Sequence, residues 1–263
     1  MSILFQLIVI VLCIVAGLFV LFILGSFFGS AFMLGYVIKK STEKKSPEFL
    51  LKEKTEMQVK VQEMKQRLDA ESEAEIHDIT NDLDYSYKRW ITSILTGYMN
   101  NPHGKKVLAF QRRQRGNNID CRILAQTLNT SYYFEMNPVE TIVETNGKKR
   151  GSILSSGDIV TVDNRKIGSM LRIGMPEEYT IEFRSGASAT IKGSRDNKPF
   201  INNIWFERVN HPIPIRRKPH VYRPPYDPYS MVSGYTTLTP EEKEWVIAAA
   251  ILESLVYSFS FTS

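Results

Sequence analysis

The sequence predicts an α+β protein with four parts: an N-terminal transmembrane helix, a helical stalk, an antiparallel β-sheet or barrel domain, and a buried apolar C-terminal helix. Three observations carry that expectation. All 33 basic and 28 acidic residues lie beyond position 38. Residues 107–209 break into short alternating or β-branched runs divided by turn residues. Thr239-Pro240-Glu241-Glu242 then opens a run, Trp245 to Tyr257, that is apolar except at Glu253 and Ser254. A chain of 263 residues, 43% hydrophobic and 23% charged, is neither disordered nor a disulfide scaffold.

From Ile3 to Leu24 the only polar side chain is Gln6. At about 1.5 Å of rise per residue this stretch covers about 33 Å, enough to cross the hydrocarbon core. A cleaved signal peptide fits poorly, because there is no basic n-region and no small-residue cleavage site within the stretch. Residues 1–38 are therefore expected to be an uncleaved transmembrane signal anchor. Gly25 and Gly29 stand four apart, a spacing that lets two helices approach closely. A homodimer through this helix and a lone tilted helix both remain open. Lys39, Lys40, Lys44 and Lys45 follow at once, so the positive-inside rule puts the N-terminus outside and the C-terminal domain in the cytoplasm. The two cysteines agree, since Cys13 lies in the apolar stretch and leaves Cys121 alone beyond it.

Residues 39–80 read as a charged helical stalk. Ser46-Pro47-Glu48 is a helix start, and Glu48/Lys52, Glu56/Lys60 and Glu63/Arg67 are favourable i,i+4 pairs. Met57, Val61, Met64 and Leu68 repeat at 4-3-4 spacing, a short coiled-coil seam. It suits either a solvated stalk or a weak oligomerising coil. In residues 81–104, Leu83, Tyr87, Trp90, Ile94 and Tyr98 at 4-3-4-4 spacing predict an amphipathic helix, ended by Asn100 to Gly104.

From Tyr85 to Ile119 there are seven basic residues and no acid. Lys105, Lys106, Arg112, Arg113 and Arg115 are the candidate lipid- or phosphate-binding residues, because such a cluster tethered near a cytoplasmic leaflet suits anionic headgroups. The alternative is that the run neutralises the acidic helix upstream. Nucleic acid is not an expected partner, since no recognised binding motif accompanies the charge.

Residues 105–210 form the expected antiparallel β domain. Ile119 to Ile123, Ile159 to Val162, Tyr179 to Arg184 and Ala189 to Lys192 read as strands. Asn146-Gly147, Ser156-Gly157, Asp163-Asn164 and Ser185-Gly186 read as turns. Residues 211–238 begin with six of the twelve prolines within 211–228 and predict an extended proline-rich strap. In residues 239–263 the apolar helix is too short to span a bilayer and predicts burial, although a membrane or re-entrant segment reaching Phe261 stands as an alternative. Glu253 requires a basic partner in either setting.

Many antiparallel strands followed by such a helix resemble the tubby-like and phospholipid-scramblase-like fold. Asp163 to Gly168 looks like that group's turn-plus-strand repeat, and Glu244 to Tyr257 looks like its terminal helix. The likeness covers about residues 105–261 and rests on the order of elements. It implies phosphoinositide or membrane-surface binding rather than catalysis.

Catalytic signatures are missing. The four histidines are scattered, and there is no phosphate loop, dinucleotide fingerprint or nucleophile elbow. The leading expectation is a non-enzymatic, cofactor-free, membrane-anchored binding or scaffolding domain within a membrane-associated assembly. Its partners would be membrane lipids, an unidentified protein, and a second copy through the transmembrane helix or stalk. An anionic-lipid module and an unrecognised membrane-bound enzyme are the alternatives.

Overall fold

The computed structural model describes residues 46–89, 92–115, 120–170, 178–193, 215–217 and 229–256. The expected anchor, with Gly25 and Gly29, and most of the proline-rich strap lie outside them. None of the helices described is long and apolar enough to cross a membrane.

Strands β1 (Leu83–Arg89), β2 (Thr92–Asn100), β3 (Lys106–Arg115), β4 (Asp120–Gln126), β5 (Ser131–Met136) and β6 (Glu140–Thr145) follow one another as antiparallel neighbours. So do β7 (Lys148–Leu154), β8 (Asp158–Thr161), β9 (Lys166–Met170), β10 (Glu178–Phe183) and β11 (Ser188–Lys192). The edges of this 13-stranded sheet are β12 (Ile215–Arg217), paired with β1, and β13 (Val232–Tyr235), paired with β11. The turn chemistry accounts for the meander. At Asn146-Gly147 both residues have positive φ, 51° and 74°, the geometry that joins two strands through a two-residue loop.

Residues 81–104 differ from the expected amphipathic helix, because they form the β1–β2 hairpin. The steps of four are even, so each keeps side chains on one face of a strand as well as of a helix, and the single step of three falls where β1 gives way to β2, leaving Leu83 on the inner face and Tyr98 on the outer. The segment's aromatic and β-branched content, Tyr85, Tyr87, Thr92, Ile94, Thr96 and Tyr98, decides for the strand. Buried Leu83, Tyr85, Leu95 and Met99 show the period of two. At Gly97 a Cβ would lie 2.2 Å from the Asp84 carbonyl oxygen, so only glycine lets β1 and β2 approach here.

The inner face of the sheet surrounds the C-terminal helix, α2 (Pro240–Leu255). The Thr239 hydroxyl accepts from the Glu242 N–H, and the Glu242 carboxylate accepts from the Thr239 N–H, completing the expected capping box. Every residue from Trp245 to Leu255 is buried. Leu108, Phe110, Ile123, Phe134, Ile159, Ile181 and Ile191, drawn from strands along the length of the sheet, join α2 in one core. A helix apolar on all sides needs such an enclosure, and each large side chain buried there contributes about 1.5–3 kcal/mol. The helix is thus an internal element of the domain. Glu253 is fully buried in it. The neighbouring Ser254 hydroxyl donates to the Thr80 carbonyl, 3.0 Å away.

The first and last parts of the sheet meet through the isolated Thr80–Ser230 bridge and a 2.7 Å bond from the Met231 N–H to the Ile79 carbonyl. One bridge is not a continuous ladder, so the sheet is open, not a closed barrel.

Helix α1 (Pro47–Lys65) starts at Ser46, whose hydroxyl accepts from the Phe49 N–H. It differs from a free stalk. Met57, Val61 and Met64, the expected coiled-coil seam, are buried against Ala109, Leu124 and Tyr133 on the outer face of β3–β5, with Leu68 and Tyr98 alongside. A seam of two heptads is too short to hold a coil, and the outer face offers it an apolar strip within its own chain.

Candidate functional site

Strand alternation divides the basic run between the two faces of the sheet. Arg112 points inward and is buried, its Nε 3.4 Å from Cys121 Sγ and its Nη2 bonded to Gln114 Oε1. Arg113 points outward beneath α1 and meets Glu56 at 3.0 Å and Glu53 at 3.8 Å. Arg115 donates to Thr92 Oγ1 at 3.0 Å, and its guanidinium lies 4.9 Å from the Phe49 ring centroid. These three arginines are engaged within the fold and do not form one exposed anion-binding face. Arg113 meets Glu53 and Glu56 of α1, which precede the acidic stretch, Glu63 to Asp84, that the sequence offers as the run's partner. Lys105 is exposed in the β2–β3 turn, and Lys106 pairs with Asp69 at 3.8 Å.

A residue outside the expected run completes this interface. Arg122 is almost wholly buried and meets Asp120 at 2.8 Å, Glu53 at 3.0 Å and Glu135 at 3.5 Å. Burial pulls its guanidinium pKa down, but Asp120, Glu53 and Glu135 outweigh that pull and hold it above the ordinary arginine value. Lys54 pairs with Glu144 and lies 4.3 Å over the Tyr133 ring. Burial and the neighbouring Glu135 push the Tyr133 hydroxyl well above its ordinary range, keeping it neutral.

Beside this interface lies an open groove of about 570 Å³ between one flank of α1 and the outer face of β1–β2. Lys60, Arg67 and Lys106 bring three positive charges to it, and Ser86, Thr96 and Tyr98 bring hydroxyls, over a floor at Gly97. Asp84 is the acid in the same lining. Arg67 is exposed and has no ion pair among the described residues. Lys60 meets Glu63 at 3.0 Å, with both side chains more than half exposed. Such surface pairs contribute about 0–1 kcal/mol and yield readily to a better anion. Lys106 Nζ stands 5.4 Å from the Tyr98 ring centroid, so the groove joins cationic and aromatic surface.

Of the expected binding residues, the groove takes up Lys106 alone. Lys60 and Arg67 escape a sequence reading because they look like helix-surface charges, and Ser86, Thr96 and Tyr98 are hidden in a segment whose spacing suits a helix. Among the described residues, no group of three or more histidines, cysteines, aspartates or glutamates is placed to hold a metal ion. Cys121 is a buried free thiol on the inner face. Comparison with protein families, curated proteins and solved structures gives no match.

Proposed function

We propose that the chain is a single-pass membrane protein whose cytoplasmic domain is a non-enzymatic binding module, and that its ligand is a phosphorylated, anionic lipid headgroup. The observation that carries the ligand is the groove in which Lys60, Arg67 and Lys106 converge with three hydroxyl-bearing side chains. A phosphate needs positive charge, hydrogen-bond donors and a surface that admits it; the two ammonium groups and the guanidinium supply charge and donors together, while the Ser86 and Tyr98 hydroxyls donate to the Thr96 and Met64 carbonyls. The uncharged N-terminus and its lysine flank support the membrane anchor. A meander of strands around an apolar C-terminal helix supports the tubby-like and scramblase-like resemblance, which carries the same ligand class. Holding a headgroup at a tethered domain would let the protein organise an assembly on one leaflet.

The test is calorimetric titration of the detergent-solubilised full chain with a soluble inositol bisphosphate. Arg67→Glu and Lys106→Glu should each weaken binding by about 1 kcal/mol or more while leaving unfolding unchanged. Absent binding, or binding that ignores both variants, would overturn the headgroup reading in favour of a protein ligand. Sealed vesicles with the cytoplasmic face outward test the topology, because the domain must be open to added protease.

A further inference from the structure

The groove beside α1 has two chemically different sides. Lys60 and Arg67, from α1 and the turn after it, and Lys106, from the start of β3, put positive charge and hydrogen-bond donors on one side. The other side is the outer face of β1–β2. Leu83 and Tyr85 belong to the inner core, so strand alternation turns Asp84 and Ser86 outward. The register sets Asp84 opposite Tyr98 and Ser86 opposite Thr96, cross-strand neighbours about 5 Å apart at Cβ. Ser86 gives its hydroxyl proton to the Thr96 carbonyl at 3.3 Å, and Tyr98 gives its own to the Met64 carbonyl at 3.4 Å. Both oxygens are thereby left as acceptors. The half-buried Asp84 carboxylate has no ion pair or hydrogen bond among the described residues and adds its own acceptor oxygens to theirs.

We propose that Asp84 sets the specificity of this groove: it selects a phosphate that carries hydroxyl groups, a polyol phosphate, and turns away bare polyanions. The inference rests on the headgroup reading of the proposed function and names the part of the headgroup beyond its phosphate. A ligand made only of phosphate meets the donors on the α1 side but sets its charge against a carboxylate on the β1 side. A polyol phosphate satisfies both sides, its phosphate on the cations and its hydroxyls donating to Asp84, Ser86 and Tyr98. An ammonium suits the acceptors less well than a hydroxyl does. It would meet the repulsion of Lys60, Arg67 and Lys106 in the same lining. Lys106 also already stands 5.4 Å from the Tyr98 ring centroid, the aromatic surface that an ammonium would use.

The experiment is calorimetric titration of the detergent-solubilised full chain with inositol bisphosphate and with inorganic pyrophosphate, which offers phosphates without a hydroxyl. The wild-type chain should bind the inositol ligand about tenfold more tightly, the worth of a hydrogen bond to a charged acceptor. Asp84→Ala should bring the two affinities together, weakening the inositol ligand and strengthening pyrophosphate. Asp84→Asn, which keeps an acceptor oxygen and removes the charge, should strengthen pyrophosphate and retain part of the inositol affinity. A merely structural residue would shift both ligands in the same direction. Glycerol phosphate should bind more tightly than phosphoethanolamine, and the reverse order overturns the polyol assignment. A wild-type chain without preference overturns the inference. So does a preference that survives Asp84→Ala while Arg67→Glu weakens both ligands, and either result leaves the headgroup reading standing. No binding of the inositol ligand overturns the headgroup reading, and the inference with it.

Discussion

The inner face of the sheet meets α2 through Leu108, Phe110, Ile123 and Phe134, side chains that need only volume and dryness. The outer face meets α1 through a smaller apolar strip, Ala109, Leu124 and Tyr133, bordered by Arg113, Arg122, Glu53 and Glu56. The two interfaces hold helices by different physics. Apolar burial is non-directional and adds up with area, so the inner face supplies the fold's stability. Buried ion pairs repay their desolvation only in good geometry, so the outer face contributes little net energy but fixes where α1 sits and which side it shows outward. That orientation puts Lys60 and Arg67 beside β1–β2 and leaves Leu51 exposed.

The contrast breaks first on the inner face. Phe110 is fully buried on β3, and Phe110→Ala should cost about 3–5 kcal/mol, enough to unfold much of the population. Denaturant unfolding of the full chain in detergent measures it. A loss under about 1 kcal/mol would mean that the inner face is not the main source of stability.

On the outer face the decisive result is a pair of variants. Arg122→Met alone leaves Glu53 buried beside Arg113 but without its nearest cation, at a cost of about 3 kcal/mol. Adding Glu53→Leu should recover most of that loss, because apolar side chains of similar size replace the pair without a desolvation penalty. Without that recovery, the ion pair itself would be a source of stability, and the two faces would differ less than described.

Legibility in the sequence follows the same division. Helix α2 is readable because a capping box and an apolar run report burial whatever the partner. The later turns are readable because Asn146-Gly147 and Ser185-Gly186 carry local chemistry. The β1–β2 hairpin misleads because its four-residue spacing suits helix and strand alike. The seam of α1 is visible, but its occupant is not, since heptad spacing says that a face is apolar and not what covers it. The groove is illegible for a related reason. Lys60, Arg67 and Lys106 become neighbours only when α1 docks beside a hairpin whose sequence reads as helix.

The smallest expected effect lies at the entrance to α2 and sharpens the comparison through pH. Hydrogen bonds from the Ser185 hydroxyl, then the Thr239 N–H and hydroxyl, hold the Glu242 carboxyl below its ordinary range. A depressed carboxylate stabilises the fold above the ordinary glutamate pKa, and the contribution fades as pH falls through the lowered value. Thr239→Ala should cost about 1 kcal/mol at neutral pH, the ordinary cost of losing a cap. It should also flatten the acid limb of the stability curve, and Glu242→Gln should flatten it further. Arg122→Met with Glu53→Leu should leave the part of that limb due to Glu242 in place, because the capping box touches neither residue. If the double variant removed it, the entrance to α2 would be coupled to the α1 interface, and the two faces would not be independent.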